Sequence, residues 1–209
     1  MKIHCKFLTS AADPAQFPAA GVPEIAFLGR SNVGKSSLLN SLVGEKMAHV
    51  SSTPGRTRTI NFFEIYLRSN NTLPDLRFAD LPGYGYAKLS KSISAEWPRF
   101  IDPYLQEREN LAGCIVLIDS NIPTQPSDLQ LIEFLRAAQR SFLVVATKTD
   151  RLSGNQLQNS ITALRREFEL EKVLPYSAKT GIGKELLWKA IKKLTSGSTE
   201  EYPNDSMTQ

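Results

Sequence analysis

Long apolar runs are missing from this 209-residue chain. No stretch approaches the roughly 18 apolar residues that a membrane-crossing helix needs, so a transmembrane reading is excluded. The first twelve residues include Lys2, His4, Cys5 and Lys6 but lack the apolar centre of a signal peptide, so nothing in them directs export. A cytoplasmic location with no membrane partner is expected. Cysteine is scarce too: Cys5 and Cys114 are the only two, which argues against a disulfide framework or a zinc site. Cys114 opens the apolar run Cys114-Ile115-Val116-Leu117-Ile118, where a thiol behaves as a small core residue. Extended Lys/Arg runs and internal repeats are also absent. The formal charge of +4 and pI of about 9.1 are a mild basic bias, compatible with an anionic partner such as RNA without requiring one.

What remains is a composition of 41% apolar and 22% charged residues, suited to one globular domain with a buried core. Short apolar runs alternate with amphipathic stretches. Residues 24–28 read as a strand and 35–43 as a helix; further apolar runs occupy 60–67, 76–79, 114–118, 142–146 and 172–176. Helical spacing marks 92–108, where Pro98 and Pro103 are expected to kink or divide the helix. It marks 125–139 through Leu129, Ile132, Leu135 and Ala138, and 157–168 through Leu157, Ile161, Leu164 and Phe168. A last helix places Leu186, Leu187, Ala190, Ile191 and Leu194 on one face, with Lys184, Lys189, Lys192 and Lys193 on the other. This order predicts an α/β domain whose mostly parallel sheet is covered on both faces and binds ligands at the carboxyl ends of its strands. Residues 1–22 are expected as an extension packed on the domain, 23–195 as the domain itself, and 196–209 as a polar, disordered tail.

Between the first strand and helix stands Gly29-Arg30-Ser31-Asn32-Val33-Gly34-Lys35-Ser36, which fits G-x-x-x-x-G-K-[ST]. Glycines let backbone amides turn around phosphate oxygens, and the helix amino end adds partial positive charge. Lys35 reaches the terminal phosphates, and the Ser36 hydroxyl can ligate Mg²⁺. A metal-bound polyphosphate also needs an acid at a neighbouring strand end. Asp80-Leu81-Pro82-Gly83 supplies it: Asp80 would hold Mg²⁺ through water, and the Gly83 amide would sense the γ-phosphate.

Thr147-Lys148-Thr149-Asp150 closes the run 142–146 and resembles [NT]-K-x-D. Its aspartate can accept hydrogen bonds from guanine N1 and N2, a pairing adenine does not offer, while the Lys148 stem packs along the ring. Tyr176-Ser177-Ala178-Lys179 follows the next strand and matches an S-A-K loop, whose backbone amide contacts guanine O6. A P-loop kinase or ATPase is the rival reading, and Asp150 with the S-A-K loop argues against it. Between the P-loop and Asp80, Ser51-Ser52-Thr53-Pro54-Gly55-Arg56-Thr57-Arg58-Thr59 reads as a mobile loop. Thr57 and Thr59 are both candidates to complete the Mg²⁺ shell.

With Gly29 through Ser37, Thr53-Pro54-Gly55-Arg56-Thr57, Asn61-Phe62-Phe63, Asp80-Leu81-Pro82-Gly83-Tyr84-Gly85-Tyr86-Ala87, 147–150 and 176–178, the chain resembles the EngB family. This family, also called YsxC or YihA, consists of bacterial Era-like GTPases. The combination of T-P-G-[KR]-T with D-L-P-G-Y-G-Y-A is specific to it. The resemblance implies a three-layer Ras-like P-loop GTPase domain with a mostly parallel six-stranded sheet, and Thr57 as the switch threonine. It implies GTP and GDP as ligands and Mg²⁺ held through Ser36, Thr57 and Asp80; a monomer is expected. It further implies a role in large ribosomal subunit assembly and in septation; a regulatory module for a division protein is the alternative.

Ras-like enzymes place a water-orienting glutamine directly after D-x-x-G, but this chain has Tyr84 there. Slow hydrolysis is therefore expected, with Tyr84 and Tyr86 packing or moving with the second switch. Asn32 is the candidate to help bind K⁺, whose charge would act as an arginine finger does. Arg56, Arg58, Lys88, Lys91 and the lysine face of the last helix are candidates to meet rRNA.

Overall fold

The computed structural model describes residues 3–45, 47, 59–68, 70–84 and 100–197. Among these, seven strands form one sheet: β1 (His4–Ala11), β2 (Glu24–Gly29), β3 (Ile60–Tyr66), β4 (Leu76–Asp80), β5 (Leu111–Asp119), β6 (Phe142–Thr147) and β7 (Leu174–Pro175). Five described helices cover it: α1 (Lys35–Val43), α2 (Ile101–Glu107), α3 (Pro126–Ala137), α4 (Gly154–Glu167) and α5 (Lys184–Thr195). The strand order is β1-β3-β4-β2-β5-β6-β7. β2 pairs in parallel with β4 and β5, and β6 and β7 continue in parallel, whereas β3 runs antiparallel to β4 and to β1. From β2 the chain runs through α1 to β3 and β4 on one side, then crosses to β5 on the other side of β2, a change of winding direction that opens a crevice at the carboxyl ends.

The expected six strands become seven because part of the amino-terminal extension joins the sheet. Residues 4–11 pair along β3 from His4 opposite Tyr66 to Ala11 opposite Ile60, with an irregularity between Phe7 and Thr9. On one side of it Cys5 and Phe7 pack with the α1 and α5 layer; Leu8 packs with the opposite layer. The bulge breaks the period of two, so the segment does not read as a strand.

Both sheet faces are buried, which explains the continuous apolar strands. In β2, Ala26 and Leu28 face α2, α3 and α4, while Ile25 and Phe27 face α1 and α5. In β5, Cys114, Val116 and Ile118 alternate in the same way with Ile115 and Leu117. Pro103 is the third residue of α2, a first-turn position whose amide needs no intrahelical partner, so it does not interrupt the described helix. The 92–99 part of the expected helix, including Pro98, lies outside the described residues, as do 198–209. Two helices are rotated from the expected faces. In α3, Leu131, Ile132 and Leu135 are buried while Leu129 is exposed; in α5, Trp188 is buried in place of exposed Leu186. The Trp188 indole donates to Leu42 O at 3.0 Å, fastening α5 to α1.

At the amino ends of the strands, fully buried Glu24 accepts from Arg77 Nη1 at 2.6 Å, Arg108 Nη2 at 2.6 Å and Nε at 2.9 Å, and Tyr104 OH at 3.2 Å. The same arginines hold the preceding segment: Arg108 Nη2 donates to Pro18 O at 2.6 Å and Arg77 Nη1 to Ala19 O at 3.3 Å. Burial pushes the Glu24 carboxyl up, but hydrogen bonds and charge from Arg108 and Arg77 outweigh it and leave it below the usual range.

Candidate nucleotide-binding site

The phosphate loop begins where β2 ends. Gly29 sits close under its own loop, since a Cβ there would meet Val33 Cγ1 at 2.8 Å. Asn32 takes a left-handed conformation (φ 65°), and Gly34 does so at the amino cap of α1 (φ 103°). No side chain caps α1, so its first amides face the crevice beside Ser36 and Ser37. Val33 is buried in the α1 layer and anchors the loop from below.

Lys35 and Asp80 meet at the start of α1 as a hydrogen-bonded ion pair. Asp80 is the last residue of β4, opposite Phe27 of β2, so strand register delivers the carboxylate to the loop. Beyond it Leu81 and Pro82 are buried, and Gly83 lies against Ser31, where a Cβ would come within 3.0 Å of Oγ and 3.1 Å of N. Backbone bonds join the two segments: Ser31 N donates to Tyr84 O at 2.9 Å and Tyr84 N to Gly29 O at 3.4 Å, with Arg30 and Tyr84 forming an isolated bridge.

Tyr84 is packed, one of the two outcomes expected for it. Its ring is buried, and its hydroxyl donates to Asp128 Oδ1 at 3.0 Å beneath the start of α3. Burial and the Asp128 carboxylate push the phenol well above its ordinary value, so it stays protonated. Asp128 also accepts from Gln125 N at 3.2 Å, closing the capping box of α3. Sequence reading missed Asp128; the Gln125-Pro126-Ser127-Asp128 cap was its available signal.

The segments expected to meet the base lie on the other side of the loop. Thr147 ends β6 and, where asparagine is usual, its hydroxyl donates to Val33 O at 2.6 Å with Ile118 O at 3.2 Å. The threonine thus ties the P-loop to β6. Lys148 (φ 58°) extends its ammonium to Asn32 O at 2.7 Å and Asp119 Oδ2 at 2.6 Å. Thr149 is buried, and its amide donates to Tyr176 O at 3.3 Å. Asp150 is exposed, with Oδ1 accepting from Ser177 Oγ at 2.7 Å; that bond is the main reason its carboxyl lies below the usual range. Ser177 therefore aims the carboxylate that would read guanine. The S-A-K loop is shaped by Gly183 (φ 83°), where a Cβ would come within 2.2 Å of Pro175 O. Tyr176 closes the floor through its hydroxyl to Ser41 Oγ at 3.1 Å.

These elements enclose a cavity of about 670 Å³ lined by Gly34, Ser37, Ser41, Lys148, Asp150 and Ala178, among others. Ser36 and Asp80 offer a hydroxyl and a carboxylate, the hard oxygen donors Mg²⁺ takes beside phosphate and water. No cluster of three or more His, Cys, Asp or Glu competes among the described residues. The donor set therefore fits Mg²⁺. Gly55, Arg56, Thr57 and Arg58 lie outside the described residues; Thr59 is half-buried immediately before β3.

A family model described as a 50S ribosome-binding GTPase matches residues 24–148. Proteins called "Probable GTP-binding protein EngB" are 58% identical: that of Acidobacterium capsulatum over 96% of this chain and 95% of its own, and that of Koribacter versatilis over 91% and 94%. A crystal structure of a probable GTP-binding protein engB superposes with a TM-score of 0.66 at 26% identity, covering 84% of this chain and all of that one. Era in complex with MgGDPNP and a 16S ribosomal RNA segment gives 0.66 at 26%, covering 88% of this chain and 60% of Era. The chain therefore belongs to the EngB family of GTP-binding proteins, with a Ras-like P-loop GTPase fold.

Proposed function

We propose that this protein is a slow, Mg²⁺-dependent GTPase that acts as a nucleotide-controlled switch in assembly of the large ribosomal subunit, with normal septation depending on that role. The observation that carries it is the junction of Gly83 and Tyr84 with the P-loop. A γ-phosphate on Lys35 would lie where the Gly83 amide enters the second switch, so nucleotide state acts on that switch directly. The 50S description of the matched family supports a ribosomal target.

In this reading the P-loop amides and Lys35 bind phosphate, Asp150 selects guanine, and Ser36, Asp80 and Thr57 hold the metal. Bound Mg²⁺ would neutralise charge developing on the phosphate oxygens. The low rate follows from Tyr84, whose hydroxyl is spent on Asp128 and does not orient water. A K⁺ ion at Asn32 or a ribosomal partner would supply the missing stabilisation. The lysines of α5, together with Arg56, Arg58, Lys88 and Lys91, would meet rRNA. We propose a cytoplasmic monomer without membrane attachment; no described helix is long and apolar enough to cross a membrane.

Co-sedimentation with large-subunit particles tests the reading. Binding in a non-hydrolysable GTP analogue and release in GDP are expected; equal binding in both would overturn the switch. Equal hydrolysis rates in Na⁺ and K⁺ buffers, with and without ribosomes, would remove the proposed activation.

A further inference from the structure

One acid at the base end of the cleft belongs to none of the phosphate, metal or guanine-reading segments. Asp119 is the last residue of β5, the strand between β2 and β6, and its register partner is Thr147. Its carboxylate therefore emerges between the phosphate loop and the T-K-x-D segment. Oδ2 accepts from Lys148 Nζ at 2.6 Å, and Oδ1 accepts from Asn121 N at 3.0 Å and Nδ2 at 2.9 Å. Asn121 Nδ2 also donates to Lys148 O at 3.2 Å. Lys148 is thus held at both ends, its ammonium by Asp119 and Asn32 O and its carbonyl by Asn121.

We propose that Asp119, backed by Asn121, is a positioning residue for the nucleobase: it fixes the Lys148 stem as a flat apolar platform before nucleotide arrives. The inference rests on the guanine-nucleotide reading of the cleft. A free lysine side chain carries about 2 kcal/mol of rotamer entropy, and ordering it on binding weakens the complex unless it is already held. The Asp119–Lys148 pair is well suited to that task, because the side chains are only 12% and 22% exposed. A solvated surface pair would hold little. Burial pushes the Asp119 carboxyl up, but the bonds from Lys148 and Asn121 bring it below the usual range, so it is anionic at neutral pH.

Neutralised in this way, the ammonium is not directed at phosphate, and the platform serves the part of the ligand common to GDP and GTP. Asp119→Asn should therefore weaken both by the same factor, about 3- to 10-fold. A loss confined to GTP would contradict the assignment. Because Asp119 acts through the ammonium, the loss should vanish in a Lys148→Met background, which keeps an apolar stem and removes the charge that needs a partner.

The test is a double-mutant cycle on the full chain, titrating fluorescent GDP and GTP into wild type, Asp119→Asn, Lys148→Met and the double variant. Asn121→Ala serves as a second, milder probe with a smaller loss in the same direction. An unfolding midpoint for each variant separates binding from stability. Unchanged affinity in Asp119→Asn and Asn121→Ala, or the same loss with and without the Lys148 ammonium, would overturn the inference while leaving the guanine site standing. Failure of the wild type to bind GDP would overturn the base reading, and this inference with it.

Discussion

The two ends of the sheet both hold charged side chains and use them in opposite ways. At the amino ends, Glu24 is enclosed by Arg77, Arg108 and Tyr104, and the donors left over grip Pro18 and Ala19. Every bond there ends on protein, so the cluster serves stability and fastens the amino-terminal segment. At the carboxyl ends, Asp150 is exposed and aimed by Ser177, α1 has no side-chain cap, and Asp150 and Lys148 line an open cavity. Those groups are positioned by protein and, in the proposed reading, would be completed by nucleotide. Substitutions at one end should therefore change stability, and at the other binding.

The largest effect is expected at the closed end. Glu24→Gln leaves two arginines without a buried counter-charge and should cost about 3–5 kcal/mol in urea unfolding. GDP affinity of the folded fraction should be unchanged, and a large loss there would break the comparison. The same carboxyl sharpens it through pH. Its folded value is lowered from 4.5, so its stabilisation is present above that value and is lost as pH falls through the depressed one. The wild-type unfolding midpoint should fall with acid more steeply than that of Glu24→Gln.

At the open end, Lys35→Ala should abolish tight triphosphate binding, on the order of a hundredfold or more. Wild-type GTP affinity in this variant would refute the phosphate-loop assignment. Thr147→Val bridges the two behaviours, because the hydroxyl is structural yet holds the ligand loop: about 1 kcal/mol of stability and a several-fold loss of GDP affinity are expected together. The smallest effect belongs to Tyr84→Phe, which removes the bond to Asp128 for about 1 kcal/mol by unfolding and leaves GTP hydrolysis unaltered. Tyr84→Gln should not accelerate hydrolysis, since that position faces α3; a gain in turnover would show that the glutamine reaches attacking water.

Much of the site was legible because its chemistry demands contiguous residues. The P-loop, Asp80 through Gly83, and Thr147 through Asp150 each fall at the end of an apolar strand run, and the structure brings them to one cleft. What escaped depended on contacts distant in sequence. Asp119 acquires its meaning from Lys148 and Asp128 from Tyr84, 29 and 44 residues away. β1 escaped because its bulge erases alternation. In α3 and α5 the helical period was read correctly, but the buried face was offset, since Leu129 and Leu186 fit the same stripe yet face outward. Trp188 took the inward place through a bond to Leu42 that no local pattern announces.

The most direct test of the central claim, that this open cleft reads guanine through Asp150, is a base-exchange titration of wild type and Asp150→Asn with GDP and XDP. An amide complements xanthine O2 as the carboxylate complements guanine N1 and N2, so the variant should prefer XDP and lose GDP affinity by about a hundredfold. Because Asp150 is exposed, its unfolding curve should overlay that of the wild type. Retained preference for GDP over XDP in a normally folded variant would contradict the account.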